Sequence, residues 1–483
     1  MNSNYPITGF GAVAESTTNN APAIQRAIDA ANAAGGGTVT IPAGMVFMTG
    51  SIVLKSFVRL HLEPGSVLLA SPDISDYVNY QHIELFAKSD FCRFWIFAEN
   101  AHQITIDGSG TLDGNSPAYV TEKLSTHTVA RNPRAQSVVF LGCQDVAVRG
   151  IRIINAPSWA LRPAGCDRVL IEGVTILNDL GLVNSDGIDI DCCRSVRVSN
   201  CHVEAGDDGI SIKGRHEIAT RYGACEDIVI TGCVIESHCC AFRLGSESHV
   251  DFRRIVFSHS TIRRSHRGIA IDGRDDVLFE DVLISDITVD TIHSPRIWWH
   301  EGEPVWISLV PDVEAHYAAK RKAAIDPGTG ERCDTGVARL RNIVFRNISI
   351  TSEQGIYVQG ADGVPHPSDI LFDNVRIHIH KHTPHAAGFA DPRPNRSGFM
   401  VAGSTGVEEE TPWGSLFRHG IPGWFFDRTE NITLRNCRVT WADDMPPAYT
   451  HALEAHASPG LVLENFQGPA ARPGLEAIAI KNI

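Results

Sequence analysis

The sequence has no excess of basic residues and no segment typical of secretion or membrane insertion. Its 483 residues include 42 Lys and Arg against 56 Asp and Glu, a net charge of −14. This balance argues against nucleic acid or an anionic membrane as a partner. The first twenty residues lack a cationic start and an apolar run, and no stretch is long enough to span a bilayer. We therefore expect a cytoplasmic protein without a signal peptide.

Paired metal-binding cysteines and helical periodicity are also scarce. None of the twelve cysteines forms a CxxC pair, so a zinc knuckle is not expected. Many occupy positions where a repeat elsewhere has Val or Ile, which indicates reduced, buried residues. Helical spacing occurs at Ile24, Ala27, Ile28 and Ala31, just before a glycine run. This pattern predicts one short capping helix within an N-terminal cap at about 1–45.

What the chain does have is a repeat. A four-position apolar pattern, as at Val146, Val148, Ile151 and Ile153, recurs nine times, in steps of 22 to 32 residues where no long insertion intervenes. Such a period, with strands and no helices between them, predicts a solenoid of stacked strands. A Leu ladder is missing, which argues against leucine-rich repeats. We expect an all-β, right-handed parallel β-helix, with a β-sandwich as the alternative.

The repeat predicts one β-helix domain over 1–483 with long loop insertions. Three stretches break the period: about 114–133, about 286–339 and about 380–430. Loops of this length are expected to be functional. The middle stretch contains Trp298, Trp299 and Trp306. Aromatic side chains suit the apolar face of a sugar ring; the alternative is that they fill a gap beneath the loop.

Two short segments of the same design, GIDID and GISIK, are each introduced by acidic residues. Gly187 and Gly209 are 22 residues apart, so they would lie on adjacent turns of a solenoid. That places Asp186 beside Asp208, with Asp207 next to them on one exposed strip. Carboxylates this close raise each other's pKa, which is typical of chemistry or of a metal site. The alternatives are aspartates that cap turns and a calcium site.

With these residues the chain resembles the polygalacturonase-like glycoside hydrolases, family 28, which are right-handed β-helices. The similarity covers nearly the whole chain and includes the segments NAPSWALRP, NSDGIDID, AGDDGISIKG, LGSES and RGIAI. The resemblance implies that Asp207 is the general acid, that Asp186 and Asp208 activate the attacking water, and that the anomeric centre is inverted. Glycoside hydrolysis needs one protonated and one ionised carboxyl group, which a cluster of acids supplies.

One departure from the family pattern concerns a histidine. The family has a Gly-His-Gly segment one turn beyond the acids, whereas this chain reads SHCCAFRLGSE. Cys239 or Cys240 falls at the histidine position, and His238 is displaced by a residue or two. His238 either still reaches the substrate or is a surface histidine.

A second departure concerns the cations that bind a uronate carboxylate in the family. Its RGxRIK segment is RGIAIDG here, which keeps Arg267 but has Ala270 and Asp272 in place of the two cations. Strand alternation points both replacements outward, and an Asp there would repel a carboxylate. Arg243 and Lys213 are the expected substitutes.

The sequence therefore predicts an inverting glycoside hydrolase without metal or cofactor. We expect exo action on a pectin-derived or related oligosaccharide whose leaving-group sugar is not free galacturonate. The expected catalytic residues are Asp186, Asp207 and Asp208. The expected substrate-binding residues are Asn184, Trp159, Lys213, His238, Arg243, Arg267, Trp298 and Trp299. The alternatives are a β-helix lyase, epimerase or intramolecular transferase, and a carbohydrate-binding β-helix without activity.

Overall fold

The computed structural model describes residues 4–83, 85, 92–293, 300–310, 338–361, 364–391, 407–411 and 414–481. The chain divides into two compact units, which are treated separately below. Unit 1 is Met1–Ile212 with Glu217–Ile235, and unit 2 is Lys213–His216 with Glu236–Ile483. That the chain forms a single domain stays a prediction. None of the helices in the described ranges is long and apolar enough to cross a membrane.

Unit 1 contains two parallel sheets, here called sheet 1A and sheet 1B. Sheet 1A consists of β1 (Asn4–Pro6), β2 (Gly37–Ile41), β3 (Val46–Thr49), β5 (Val58–Leu62), β6 (Val67–Ala70), β8 (His102–Gly108), β9 (Thr111–Asp113), β13 (Gln144–Arg149), β14 (Arg152–Ile154), β16 (Asp167–Glu172), β17 (Thr175–Leu177), β19 (Arg194–Ser199), β20 (His202–Ala205), β22 (Cys225–Thr231) and β23 (Val234–Ser237). Sheet 1B consists of β4 (Ile52–Val53), β7 (Phe94–Glu99), β12 (Gln136–Leu141), β15 (Leu161–Ala164), β18 (Ile188–Asp191) and β21 (Ile210–Gly214). Unit 1 also contains an antiparallel hairpin of β10 (Val120–Lys123) and β11 (Thr128–Ala130). Its helices are α1 (Ala21–Ala33) and α2 (His216–Tyr222), and short 3-10 turns occur at Ile7–Phe10, Ile74–Asp76, Tyr80–His82 and Ser116–Ala118.

The apolar repeat of the sequence forms the core of unit 1. Equivalent positions of successive coils pair directly in parallel register, as in the column Val146, Val169, Val196 and Ile228. All four side chains are buried. The turn after each of these strands needs a left-handed residue, and it is Gly150, Gly173, Asn200 or Gly232, with φ between 56° and 68°. Gly and Asn tolerate this conformation best, which explains why these residue types recur where each strand ends.

The two helices of unit 1 differ in how well the sequence predicts them. Helix α1 buries Ile24, Ala27, Ile28 and Ala31, which confirms the predicted capping helix. The expectation that no helix interrupts the repeated strands is wrong at α2. This helix occupies the longest step of the repeat, and its Tyr222 ring lies so close to Gly165 that a Cβ there would approach within 2.3 Å. Tyr222, one of the extra residues in this step, thus packs against the turns that contain Gly142 and Gly165.

Unit 2 also consists of two parallel sheets, here called sheet 2A and sheet 2B. Sheet 2A consists of β25 (Phe252–Ser258), β26 (Thr261–Ser265), β28 (Val277–Thr291), β30 (Ala338–Ser352), β32 (Ser368–Ile379), β37 (Glu430–Arg435), β38 (Arg438–Trp441) and β40 (Val462–Glu464). Sheet 2B consists of β24 (Phe242–Ser248), β27 (Arg267–Asp272), β29 (Glu303–Ser308), β31 (Ile356–Gln359), β36 (Trp424–Asp427), β39 (Leu453–His456) and β41 (Ile478–Lys481). A small antiparallel sheet is formed by β33 (Phe389–Ala390), β34 (Val407–Thr411) and β35 (Gly414–Arg418).

Two of the predicted insertions contain strands of the repeat. Strand β29 lies within 286–339 and pairs with β27, and β36 lies within 380–430 and pairs with β31. Trp306, expected on a loop, belongs to β29 and is completely buried. Trp298 and Trp299 lie outside the described residues. Trp306 is therefore not available to stack on a sugar ring, because its side chain is packed in the buried core of unit 2.

Candidate functional site

Three aspartates of unit 1 gather where β18 and β21 begin. The Gly187 amide donates to the Asp208 carbonyl at 2.9 Å, and the Ile188 amide donates to the Gly209 carbonyl at 3.0 Å. The two segments are therefore neighbouring strands, and the structure brings Asp186, Asp207 and Asp208 together. Their side chains are not on an exposed strip, however: they are only 2%, 7% and 4% exposed. Substrate groups reaching them would enter a largely water-excluded environment.

Glycines make this close approach possible. A Cβ at Gly187 would lie 2.3 Å from the Gly209 carbonyl oxygen and 2.4 Å from a methyl group of Val203. A Cβ at Gly206 would lie 2.4 Å from the Leu182 carbonyl oxygen. Each residue precedes or follows an acid of the cluster, so a larger side chain would separate the carboxylates.

Asp207 is held by hydrogen bonds to both of its oxygens. Its Oδ2 accepts from the Asn184 backbone amide at 3.0 Å and from Asn184 Nδ2 at 3.4 Å, and its Oδ1 accepts from the Asp208 amide at 2.9 Å. Asn184 has a left-handed φ of 58°, which directs its backbone amide toward the carboxylate. The predicted substrate-binding residue Asn184 is thus a direct partner of Asp207. Each carboxyl oxygen has a second lone pair, so the group can still carry a proton.

A polar layer beneath the aspartates was not predicted from the sequence. Asn178 donates from Nδ2 to the Ser185 carbonyl at 2.9 Å and to the Asp186 carbonyl at 3.3 Å. The Ser185 hydroxyl donates to the Leu182 carbonyl at 2.7 Å and accepts from the Gly206 amide at 3.1 Å. These bonds fix the backbone that carries Asp186. No sequence signal marks Asn178, because its acceptors are backbone carbonyls, which any residue type can supply.

The outer face of sheet 1B carries two further buried acids. Arg162 donates to Asp191 at 2.6 Å and lies over the Trp159 ring at 4.9 Å, while the Ser211 hydroxyl donates to Asp189 at 2.6 Å. The alternation of GIDID could have revealed Asp189 and Asp191, since Ile188 and Ile190 point inward. The predicted site residue Trp159 is 6% exposed and packs beside this pair.

Arg134, just before β12, is the cation that sequence analysis missed. It is 7% exposed, and its Nη1 donates to the Pro157 carbonyl at 2.7 Å and to the Val183 carbonyl at 3.0 Å. Its Nε donates to the Asn132 side chain at 3.0 Å. Burial lowers the pKa of Arg134, and the charges of Asp186 and Asp207 oppose that shift. The guanidinium therefore lies within electrostatic reach of two of the three aspartates.

In unit 2, Arg267 does not have the accessible position expected of a substrate-binding residue. It is completely buried, donates from Nη2 to Glu303 and Asp391 at 2.9 Å each, and lies over the Trp306 ring at 4.1 Å. Burial alone would lower the pKa of Arg267, but the two carboxylates outweigh it and raise the pKa. These contacts place Arg267 within the packing of unit 2, and its role in substrate binding stays a prediction.

Arg243 and the residues at the replaced cation positions are also buried. Arg243 donates to Asp272 at 3.3 Å and contacts His300 Nε2 at 3.3 Å. Asp272 also accepts from Arg274 at 2.9 Å, and Ala270 belongs to a buried cluster with Trp306. Asp272 points outward as predicted but is itself buried and paired, so it does not present a bare charge to solvent.

The two remaining predicted binding residues of unit 2 lie in different surroundings. Lys213 is 4% exposed, with Nζ at 3.9 Å from Glu247. His238 is half-buried and stacks on His266, with ring centroids 4.2 Å apart. Burial, with the neighbouring His238 and His385, lowers the pKa of His266 well below its usual value. The His266 ring is therefore neutral in the folded protein at neutral pH.

The parallel coils and the cluster of buried aspartates can now be compared with known proteins. Residues 81–293 match the model of the family described as glycosyl hydrolases family 28. A probable polygalacturonase of Vitis vinifera is 26% identical over 390 residues, which cover 77% of this chain and 74% of the grape protein. An exopolygalacturonase of Zea mays is 26% identical over 213 residues, 43% of this chain and only 48% of the maize protein.

Among solved structures, an exopolygalacturonase from Thermotoga maritima matches with a TM-score of 0.61 and 22% identity, covering 78% of this chain and 88% of that one. This similarity confirms the predicted right-handed parallel β-helix. With the family match over residues 81–293 and the relatives, the chain is similar to the glycosyl hydrolases of family 28 and to polygalacturonases.

Proposed function

We propose that the enzyme cleaves its glycosidic bond with inversion, with Asp207 as general acid and with Asp186 and Asp208 activating the attacking water. The observation that carries this proposal is the backbone hydrogen bonding between the two segments, which places the three aspartates where neighbouring strands begin. An inverting hydrolase needs one carboxyl group that protonates the leaving oxygen and one that activates water on the opposite face. The fixed position of Asp207 suits the first role, since its proton would be aimed by bonds from Asn184 and from the Asp208 amide.

The proposed substrate is a pectin-derived or related oligosaccharide attacked from one end. The maize relative is named an exopolygalacturonase, which supports this mode of attack. The 114–133 insertion contains the antiparallel hairpin of β10 and β11, in addition to the regular coils of unit 1. Cytoplasmic location stays a prediction.

We also propose that the leaving-group sugar is not free galacturonate. The support comes from the position where the family pattern has two cations. Ala270 is buried against aromatic side chains, and Asp272 is buried between Arg243 and Arg274. A carboxylate gains about 1.5–3 kcal/mol from a charged hydrogen bond, and in this part of unit 2 both Arg243 and Arg274 already donate to Asp272.

The test is a comparison of substrates with the purified enzyme. An oligogalacturonide, its methyl ester and neutral pectic oligosaccharides are incubated in parallel, with products resolved by chromatography and the anomeric configuration read by NMR. We expect an inverted product and a monosaccharide or small unit from the first minutes. A retained configuration would contradict the mechanism, and an early ladder of mid-sized products would contradict exo action. Efficient cleavage of plain oligogalacturonide, equal to that of the other substrates, would contradict the proposal on the leaving group.

A further inference from the structure

The aspartates of unit 1 depend on two turns that come from different coils. The turn containing Pro157 leads into Trp159 and β15, and the turn containing Val183 leads into Asn184, Ser185 and Asp186. Arg134 joins the two, because its Nη1 donates to both the Pro157 and Val183 carbonyls. Both hydrogens of one terminal nitrogen are thereby used on backbone that positions the site.

The remaining contacts of Arg134 lock its orientation. Its Nε bond to Asn132 fixes the plane of the guanidinium, and the side chain is more than nine-tenths buried. A buried guanidinium has a strong electrostatic effect on nearby carboxylates, since little water screens it. The charges that face Arg134 are those of Asp186 and Asp207. Asp208, Asp189, Asp191 and Arg162 lie on the adjoining part of the same unit.

We propose that Arg134 is a positioning residue of the hydrolase, which ties the Trp159 turn to the Asp186 turn and keeps the water-activating carboxylate ionised. The proposal rests on the proposed roles of Asp186 and Asp207. It assigns two separable properties to one side chain: a double hydrogen bond to backbone and a positive charge. Removal of the charge favours the protonated form of Asp186, and a protonated carboxyl group cannot accept a proton from water.

Two substitutions separate these properties. Arg134→Gln can keep one hydrogen bond but loses the charge. Arg134→Lys keeps the charge but has a single nitrogen, so it cannot make the two backbone contacts and the Nε bond to Asn132 together. Arg131→Gln is the matched control. Arg131 is three residues away and exposed, and it contacts the Pro72 carbonyl at 3.0 Å and the Tyr119 ring.

The measurement is the pH profile of kcat/KM for the full-length enzyme, together with thermal unfolding. In Arg134→Gln we expect the acid limb, set by Asp186, and the alkaline limb, set by Asp207, both to move upward, because the charge of Arg134 acts on both carboxylates. The expected shift is about half a pH unit or more, since one unit equals about 1.4 kcal/mol of differential interaction. Arg134→Lys is expected to leave the acid limb in place while lowering kcat about tenfold or more, in line with the sensitivity of catalysis to small displacements. Arg131→Gln should match the wild type.

Each outcome bears on the proposal. If Arg134→Gln unfolds, the Lys variant still decides, because a folded Lys variant with unchanged kcat and an unchanged acid limb overturns the positioning role. A folded Gln variant with an unshifted acid limb overturns the electrostatic role. If the wild type hydrolyses none of the glycosides offered, the proposed function itself fails, and this result is distinct from either outcome above.

Discussion

The outer faces of the two B sheets use charge in opposite ways. In sheet 1B and the turns beside it, the acids Asp186, Asp189, Asp191, Asp207 and Asp208 gather around two arginines, Arg134 and Arg162. In sheet 2B, the arginines at 243 and 267 are each held by carboxylates. An excess of buried carboxylate is costly unless chemistry requires it. In sheet 2B each of these arginines contacts a carboxylate directly, and such contacts contribute instead to packing.

The difference in charge pairing distinguishes the candidate active site in unit 1 from the packed ion pairs in unit 2. Arg267 has two carboxylate partners and an aromatic ring beneath it, so its charge is paired within unit 2. Asp207 accepts hydrogen bonds from the neutral amide groups of Asn184 and Asp208, which fix its position. Substitutions on the two faces should therefore have different effects: those in unit 1 should reduce turnover, and those in unit 2 should reduce stability.

The largest effect is expected for Asp207→Asn. An amide cannot protonate the leaving oxygen, so kcat should fall by the 10²–10⁴-fold typical of general acid catalysis. The fold should persist, because the amide oxygen can still accept one of the bonds now made to the carboxylate. Single-turnover kinetics and circular dichroism check the two halves of this expectation. More than about a tenth of wild-type activity would be incompatible with the assigned role.

The second-largest effect is expected for the buried ion pairs of unit 2. Arg267→Met leaves Glu303 and Asp391 buried without their guanidinium partner, and breaking such a pair costs about 3–5 kcal/mol. Chemical denaturation measures this loss. Arg168→Gln is the control, because Arg168 is exposed and pairs with Asp145 at 2.6 Å, a contact worth about 0–1 kcal/mol. A stable Arg267→Met variant with a tenfold higher KM would restore Arg267 as a substrate-binding residue.

The fold was predictable because its signals are local. The alternation within each strand and the recurring apolar pattern are properties of neighbouring residues, and they led to the correct coils. The spacing of Gly187 and Gly209 placed the acids on neighbouring strands for the same reason. Helix α2 was missed because HEIATRY lies inside an enlarged step of the repeat and has only one fully buried apolar residue, Ile218.

The site was predictable only in part because its charges pair over long distances. Arg267 meets Glu303 and Asp391, which are 36 and 124 residues away in sequence. Arg134 binds backbone carbonyls 23 and 49 residues away, and a carbonyl has no signature in the sequence. A pattern can therefore show that an arginine is near a strand end. It cannot show whether the charge is already balanced by another side chain.

The smallest predicted effect concerns the pH dependence of stability in unit 2. Burial, with His238 and His385 nearby, lowers the pKa of His266 in the folded protein, whereas the unfolded chain titrates near 6.5. Below that pH the unfolded state binds more protons, so this histidine's contribution to stability is present above about pH 6.5 and falls by about 1.4 kcal/mol per pH unit below it. His266→Gln removes the titration. Denaturation at pH 7.5 and pH 5.5 should show a smaller loss of unfolding free energy in the variant than in the wild type. Equal losses in the two proteins would mean that the pKa of His266 is the same in the folded and unfolded states. His266 would then carry a positive charge in folded unit 2 at pH 5.5.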